Sequence, residues 1–178
     1  IPDVDLAAHA DIALETARQG TVLLKNDGVL PLDALSGSGG SLKIAVIGGH
    51  AQLGVPIGAG SSAVVPPGGY AESHTIGGPG IMGSMRNLYL LPSSPLAELQ
   101  KLLPGAAIEY DPGMSPAEAA LLARRSDVAV VFGIRVEGEG YDNADLSLPW
   151  GQDAVIEAVA DANPAAPPMS FASTSMST

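Results

Sequence analysis

Two short apolar runs, each leading into a glycine, are the features of this 178-residue chain that most constrain its fold. The first is the Ile-Ala-Val-Ile of Lys43–Ile47, which precedes Gly48, and the second lies within Asp127–Ile134. Neither run alternates between apolar and polar side chains, so a strand formed by either one must be covered on both faces. Strands of this kind are typical of parallel sheets that have helices on both sides.

Helical patterns alternate with these strands. Apolar residues recur at three- and four-residue steps over Val4–Gln19, which predicts an amphipathic helix. The other predicted elements are helices at Pro95–Leu103, Ser115–Arg125 and Gly151–Ala162 and a third strand at Ala107–Tyr110, whereas residues 51–92, rich in Gly, Ser and Pro, are expected to be irregular. The alternation predicts an α/β fold, a three-layer α/β/α sandwich with a mainly parallel, doubly wound sheet.

The chain is long enough for one domain with its own hydrophobic core. We assign residues 1–163 to that domain and expect the low-complexity segment 164–178, rich in Pro and Ser, to be a disordered tail. A sheet of this class would normally place its next strand in that segment, so we expect the sheet to be incomplete. The chain begins at Ile1 without a Met, a basic start or an apolar leader, which indicates a cut or processing point rather than a signal peptide.

Composition excludes several classes of function. Eight basic and nineteen acidic residues give a net charge of −11, which disfavours binding to nucleic acid or to an anionic membrane surface. The chain has no cysteine, so disulfides, thiolate zinc sites and thiol catalysis are excluded. Its longest apolar stretch, Val128–Ile134, has seven residues, whereas a membrane-spanning helix needs roughly 20.

Four carboxylates follow the second apolar run in a loop punctuated by glycine: Glu137, Glu139, Asp142 and Asp145. In open α/β sheets, functional sites gather beyond the carboxyl ends of the strands. Crowded carboxylates raise one another's proton affinity, which can keep one of them protonated as a general acid. The alternative is a solvated acidic turn or a weak cation site, in which Asp142 and Asp145 anchor the loop by accepting backbone N–H bonds. Spacing alone leaves both interpretations open.

The same loop resembles a known family. Residues 139–142 read Glu-Gly-Tyr-Asp, and they are followed by Leu-Ser-Leu-Pro and then by Gln-Asp-Ala-Val-Ile-Glu-Ala-Val. This series resembles the C-terminal α/β sandwich domain of glycoside hydrolase family 3, which contains β-glucosidases and exo-β-glucanases. Three earlier segments resemble that domain in the same order, namely Ala17–Leu32, Lys43–Ala51 and Gly58–Ser62. The matches run from about residue 7 to residue 163.

The resemblance implies hydrolysis of β-glucosides or β-glucan oligosaccharides by a retaining mechanism, in which two carboxyl groups flank the scissile bond. It implies that Glu139 is the acid/base, with Glu137 as the fallback, and that Gly60, Ser61 and Ser62 contact the sugar. No metal or organic cofactor is implied, because paired carboxylates need none. The resemblance is compatible with a secreted or periplasmic protein.

The nucleophile of this family lies in an N-terminal (β/α)8 barrel of roughly 250 residues, and no such barrel is present in this chain. We therefore expect the chain to act on its carbohydrate substrate only together with a barrel, and to be inert alone. Two alternatives remain open. One is a non-catalytic carbohydrate-binding or interaction module, and the other is an unstable product that does not unfold cooperatively.

Other candidate sites are weaker. The sequence Gly48-Gly49-His50 follows a strand, but it does not satisfy the Gly-x-Gly-x-x-Gly pattern of dinucleotide-binding loops. For His50, which follows a strand end, we favour a surface position over the alternative of a place in the cleft. For Trp150, the only tryptophan, we favour a packing role over the alternative of stacking on a sugar. The three histidines, His9, His50 and His74, lack the spacing of metal ligands.

Overall fold

The computed structural model describes residues 4–32, 41–55, 63–78, 80–139, 142–163 and 171–172. Its helices are α1 (Leu6–Gly20), α2 (Pro95–Leu102), α3 (Pro116–Arg124) and α4 (Gln152–Ala162). Its strands are β1 (Val22–Leu23), β2 (Lys43–Ile47), β3 (Glu72–Thr75), β4 (Asn87–Leu90), β5 (Ala107–Asp111), β6 (Val128–Val131) and β7 (Phe171–Ala172). These elements fall into two compact units, with α1, β1 and β7 in the first and all the others in the second.

The first unit is a helix and a short antiparallel ladder. The Asp5 side chain caps α1 by accepting a hydrogen bond of 3.0 Å from the backbone N–H of Ala8, which satisfies one of the open donors at the helix start. β1 pairs with β7, with Val22 opposite Ala172. The helix predicted from Val4 to Gln19 is confirmed. β7 lies within the segment predicted as a tail, and the rest of that segment is outside the described residues.

The second unit is built on a parallel sheet with β2 at its centre. The strand order is β5-β2-β6, and β2 pairs in parallel with both neighbours. The last four residues of β2 are all buried, as the unbroken apolar run predicts for a strand covered on both faces. The predicted α/β fold with a mainly parallel sheet is confirmed.

One face of the sheet packs against α3 and α4. The buried cluster between them consists of Ala45, Ile47, Ala119, Leu122, Ala123, Ala129, Val155 and Val159. Burying each Val, Leu or Ile side chain contributes about 2 kcal/mol. The buried Asn163 follows α4, and its amide group donates hydrogen bonds of 3.0 and 2.9 Å to the carbonyls of Ala123 and Ser126. The ends of α3 and α4 are therefore joined by a polar contact as well as an apolar one.

The expectation that residues 51–92 are irregular is wrong in part. β3 and β4 form an antiparallel hairpin, with Glu72 opposite Leu90, and the ring of Tyr70 stacks on that of Tyr89 at 4.4 Å. β3 is exposed along its whole length, so it lacks the apolar alternation that identifies strands in a sequence. β4 buries Leu88 and Leu90 in a second cluster with Val136, which follows β6. Residues 56–62 and 79 lie outside the described residues.

Gly48 ends β2 in a backbone conformation that favours glycine. Its φ is +119°, and a Cβ at this position would overlap the backbone carbonyl oxygen of Phe132. The chain can therefore turn away from β2, close against the segment after β6, only because this residue has no side chain. The adjacent Gly49 is different, because its nearest obstacle is the carbonyl oxygen of Pro112 at 3.5 Å.

These two glycines give a matched pair of substitutions. We expect Gly48→Ala to lower the free energy of unfolding by about 3 kcal/mol, because it adds a steric overlap to a strained backbone. We expect Gly49→Ala to lower it by less than about 1 kcal/mol, since its methyl group meets only an ordinary contact. Urea unfolding followed by circular dichroism measures both values. Equal losses in the two variants would show that the close approach at Gly48 is not a constraint.

Candidate functional site

The carboxyl ends of the three parallel strands meet at one cavity. Its volume is about 420 Å³, within the range typical of small-molecule sites. Part of its wall comes from the segments that follow the strands, namely Gly48–His50 after β2, Pro112–Met114 after β5 and Phe132–Gly133 after β6. The rest of the wall comes from α4 and the residues just before it, through Trp150, Gln152, Val155 and Ile156. The site thus lies where open α/β sheets place their ligands.

Two rings dominate one side of this cavity. The centroids of the His50 and Trp150 rings are 6.1 Å apart, and the ring planes are inclined by 38°. Burial lowers the pKa of His50 below the ordinary value of 6.5, so the ring is neutral at pH 7. The expectation of a surface position for His50 is wrong, because the strand end that precedes it directs it to the cavity. Trp150 is 60% exposed and lines the cavity instead of packing in the core, so that expectation is also wrong.

The backbone holds Trp150 in an unfavourable conformation. Its φ and ψ are 60° and 29°, which is the left-handed region that costs a bulky residue about 1–2 kcal/mol. The residues on either side fix the turn. The Gln152 side chain donates a hydrogen bond of 2.8 Å to the Pro149 carbonyl, and Gly151 adopts φ of +72°. Strain of this kind persists where the surrounding structure imposes it, and such positions cluster at functional sites.

The acidic loop after β6 is tied down at its start by Gln152. The side-chain oxygen of Gln152 accepts a hydrogen bond of 2.8 Å from the N–H of Ile134, and its amide group donates one of 2.9 Å to the Ile134 carbonyl. One side chain therefore pairs both backbone groups of a residue that has left the sheet. These two hydrogen bonds hold the backbone of Ile134 in one orientation, which fixes the direction in which the loop leaves the sheet. They also satisfy both polar backbone groups of Ile134 without water.

Arg135 closes the same loop across its two ends. Its guanidinium donates hydrogen bonds to the carbonyl oxygens of Asp145 and Ser147, the second at 3.1 Å, and its Nε lies 3.3 Å from a carboxylate oxygen of Glu137. The side chain is only 20% exposed, so these contacts are partly shielded from solvent. A planar guanidinium with several fixed donors suits such a role, because it reaches three acceptors at once.

Further contacts complete the closing segment of the loop. The Asp145 carboxylate accepts a hydrogen bond of 2.8 Å from the N–H of Ser147, and Asp153 accepts one of 3.1 Å from Leu148. The predicted anchoring role of Asp145 is confirmed, whereas that of Asp142 stays a prediction. A second cavity of about 310 Å³ lies beside this segment. Its wall includes Ile76, Arg86, Arg135, Asn143, Asp145 and Trp150.

The predicted site residues occupy different surroundings. Glu137 is exposed and is the ion-pair partner of Arg135. Glu139 is exposed in a turn two residues further along. Gly60, Ser61 and Ser62 lie outside the described residues, as do Gly140 and Tyr141 of the motif. The assignment of Glu139 as acid/base, with Glu137 as the fallback, and of the three small residues as sugar contacts therefore stays a prediction.

Sequence reasoning missed two residues that organise the site, Arg135 and Gln152, and it offered the cavity position of His50 only as the less favoured alternative. An arginine at the end of the apolar run, followed by four acidic residues, was a signal of a loop closed by ion pairs and hydrogen bonds. The position of His50 shortly after a strand was a signal of a cavity residue, whereas Gln152 carries no such signal, because its partner Ile134 is 18 residues away in the sequence. Among the described residues, no group of three His, Asp or Glu side chains is placed to hold a metal ion, and no helix is long and apolar enough to cross a membrane.

Comparisons with known proteins place this chain in a family. Residues 21–169 match the family described as the glycosyl hydrolase family 3 C-terminal domain. The chain is 33% identical over 169 residues to an exo-α-(1→6)-L-arabinopyranosidase of Bifidobacterium longum, and 35% identical over 164 residues to the thermostable β-glucosidase B of Acetivibrio thermocellus. These alignments cover 89% and 88% of the chain.

A solved structure agrees on the fold. The β-D-glucoside glucohydrolase of Trichoderma reesei superimposes with a TM-score of 0.61 at 23% identity, over 87% of this chain and 22% of the other. The matched region is thus an α/β sandwich domain of a glycoside hydrolase family. This chain belongs to glycoside hydrolase family 3 and contains its C-terminal domain. It spans about a fifth of the length of the curated relatives that it matches.

The lowered pKa of His50 makes a prediction about stability and pH. The unfolded chain takes up a proton near pH 6.5, whereas the folded chain takes it up only at lower pH. The stabilisation contributed by the neutral, half-buried ring is therefore complete above pH 6.5 and is lost progressively as the pH falls below that value. We expect urea unfolding between about pH 7.5 and pH 5 to show a steeper loss for the native protein than for His50→Gln, which cannot titrate.

His9→Gln is the control for this experiment, because His9 lies on the exposed surface of α1. It removes a histidine at an exposed position, so a change that is seen in His50→Gln and is absent from His9→Gln belongs to the cavity position. The carboxylates are common to all three proteins, and their contribution cancels in the comparison. Parallel curves for the native protein and His50→Gln would contradict the assignment of His50 as a neutral, partly buried ring.

Proposed function

We propose that this chain is part of a glycoside hydrolase that cleaves β-glucosides or β-glucan oligosaccharides with retention of configuration. The observation that carries the proposal is the acidic loop held by Arg135 and Gln152 at the carboxyl edge of a family 3 C-terminal domain. The names of two relatives, a β-glucosidase and a β-D-glucoside glucohydrolase, support the sugar class. The arabinopyranosidase shows that other sugars also occur among its relatives.

In this proposal, Glu139 is the general acid and later the general base. A retaining enzyme holds two carboxyl groups about 5 Å apart on either side of the anomeric carbon. The nucleophile attacks that carbon while the acid protonates the departing oxygen, and a water activated by the same residue then releases the sugar. The nucleophile would come from a (β/α)8 barrel domain of the whole enzyme.

The positions of the two glutamates in the loop favour Glu139 over the fallback Glu137. The Glu137 carboxylate is 3.3 Å from Arg135 Nε, so it forms part of the contacts that close the loop. Glu139 is two residues nearer to the tip of the loop and is exposed to solvent. A docked barrel would bury that tip, and removal of water is what allows a carboxylic acid to stay protonated until it is needed. In our proposal Glu137 positions the loop and Glu139 performs the chemistry.

The same reasoning defines the parts of the enzyme. Residues 1–163 would form the portion of the C-terminal domain that presents the acid/base loop, and residues 164–178 would lie outside its packed core. Gly60, Ser61 and Ser62 would contact the sugar, as the family resemblance implies. Without the barrel, half of the carboxyl pair is missing, so the chain alone would not catalyse hydrolysis at a measurable rate.

The two glutamates are tested together in the protein as its own organism makes it. Glu139→Ala should lower kcat by about 10²–10⁴-fold on substrates with poor leaving groups, because no acid remains to protonate the departing oxygen. The loss should be smaller on substrates with activated phenolate leaving groups, and azide should restore part of the rate as a glycosyl azide. Rates with a 4-nitrophenyl and an alkyl β-glucoside, with and without azide, measure this.

Glu137→Ala is the matched control, since it removes an equal charge from the same loop. It should lower the rate on both substrates by the same factor and should not respond to azide, because it loosens the loop without removing the acid. Azide rescue of Glu137→Ala instead would move the acid/base role to Glu137. An equal loss on every substrate in Glu139→Ala, with no rescue, would overturn the assignment of Glu139.

A further inference from the structure

The wall of the cavity at the carboxyl ends of β2, β5 and β6 does not include the proposed acid/base, Glu139. The strand order β5-β2-β6 makes the gap between β2 and β6 a topological switch point, because the chain leaves β2 toward β5 and returns to the other side as β6. In flavodoxin-like sheets with this order, ligands bind in the crevice at that switch point. Neither Glu137 nor Glu139 lines this cavity, whose volume is about 420 Å³.

The wall of the cavity defines the charge of a suitable ligand. Within the described part of the chain, its lining residues are glycines, a proline, apolar side chains, His50, Trp150 and Gln152, and none is charged. The Gln152 side chain does not offer its amide to a ligand, because its oxygen and its nitrogen are both hydrogen-bonded to backbone groups of the loop. An ionised ligand would lose its hydration without gaining a charged partner, so the cavity selects an uncharged molecule.

The two rings define the shape and the polar group of that ligand. Trp150 presents an indole that is 60% exposed, on a strained backbone, where it can receive a flat ring edge-on or offset-stacked. His50 is neutral, and within the described residues its ring nitrogens make no hydrogen bond. A neutral imidazole offers one donor and one acceptor, which match a hydroxyl group. The cavity exceeds the volume of about 150 Å³ that accommodates benzene in an engineered protein.

We propose that this cavity is a binding site for a neutral phenol-type ligand. The aromatic ring lies against Trp150 and the apolar wall formed by Val131, Val155 and Ile156, and the hydroxyl group hydrogen-bonds to His50. Nothing in this proposal depends on the role of Glu139. The site would persist in a protein that hydrolyses nothing.

Trp150 provides the readout, because it is the only tryptophan of the chain. The chain is titrated with phenol, and indole fluorescence is excited at the red edge of its absorption, where phenol does not absorb. We expect a saturable change with a dissociation constant of the order of 1 mM, as befits so small a ligand. Free N-acetyltryptophanamide is titrated in parallel, since collisional quenching gives a linear and non-saturating response.

The ligand series separates the chemical requirements. Toluene lacks the hydroxyl group and should bind at least fivefold more weakly, benzoate is charged and should not bind, and glucose has no aromatic face and should not bind. Saturation by glucose at lower concentration than by phenol would overturn the proposal in favour of a sugar site. Equal affinity for toluene and phenol would overturn the hydrogen bond, and an absence of saturation by phenol would overturn the site.

Two substitutions place the ligand in the cavity. His50→Leu should weaken phenol binding at least fivefold and leave toluene binding within about twofold, whereas His50→Gln keeps a donor and an acceptor and should retain most of the affinity. His9→Leu, on the exposed face of α1, should change nothing. If His50→Leu does not fold, imidazole proton shifts in the native protein decide the matter. Phenol should then shift the His50 signals and leave those of His9 and His74 unchanged, and the opposite pattern would overturn the proposal.

Discussion

The two parallel ladders of β2 are the interaction on which the rest of the structure depends. Ile47, the last residue of this strand, lies opposite Asp111 on one side and Val131 on the other, so all three strands end at the same level. Backbone hydrogen bonds continue the ladders by one step, from Gly48 to Asp111 and from Phe132 to Ile47, at 2.9 and 2.8 Å. Three loops therefore begin side by side, and the cavity and the acidic loop follow from that alignment.

The acidic loop shows how a long connection can be held without secondary structure of its own. Its departure is fixed by Gln152 and its closure by Arg135, and both are side chains whose partners are backbone groups. An exposed loop of this kind would otherwise pay a large entropy cost to hold one carboxylate in place. The contacts leave Glu139 near the tip, where a second domain can surround it. These contacts hold the start and the end of the loop in place, and in our proposal this preorganises Glu139 for general acid catalysis.

The sequence was informative where structure is local. The β2 run and the Ser115–Pro116 cap of α3 could be predicted because a few adjacent residues determine them. The β3–β4 hairpin was not predicted, since Glu72–Thr75 is exposed along its whole length and β4 is a four-residue strand within a segment rich in Gly, Ser and Pro. The His50–Trp150 contact was also beyond prediction, because it joins residues 100 positions apart at the ends of different elements. The candidate acid/base residue was predicted mainly from the family resemblance. That resemblance identified the acidic loop, but it did not identify the side chains that hold the loop in place.

The most direct test of this account is the position of Glu139 relative to a bound substrate. A crystal structure of the protein made by its own organism, with a non-hydrolysable thioglucoside in the site, would locate the atom that replaces the glycosidic oxygen. Our account predicts a Glu139 carboxylate oxygen within hydrogen-bonding reach of that atom, at about 3 Å for an oxygen and slightly further for sulfur. It also predicts Glu137 still beside Arg135. A thioglucoside contacted by Glu137, or bound with no residue of this loop nearby, would contradict it.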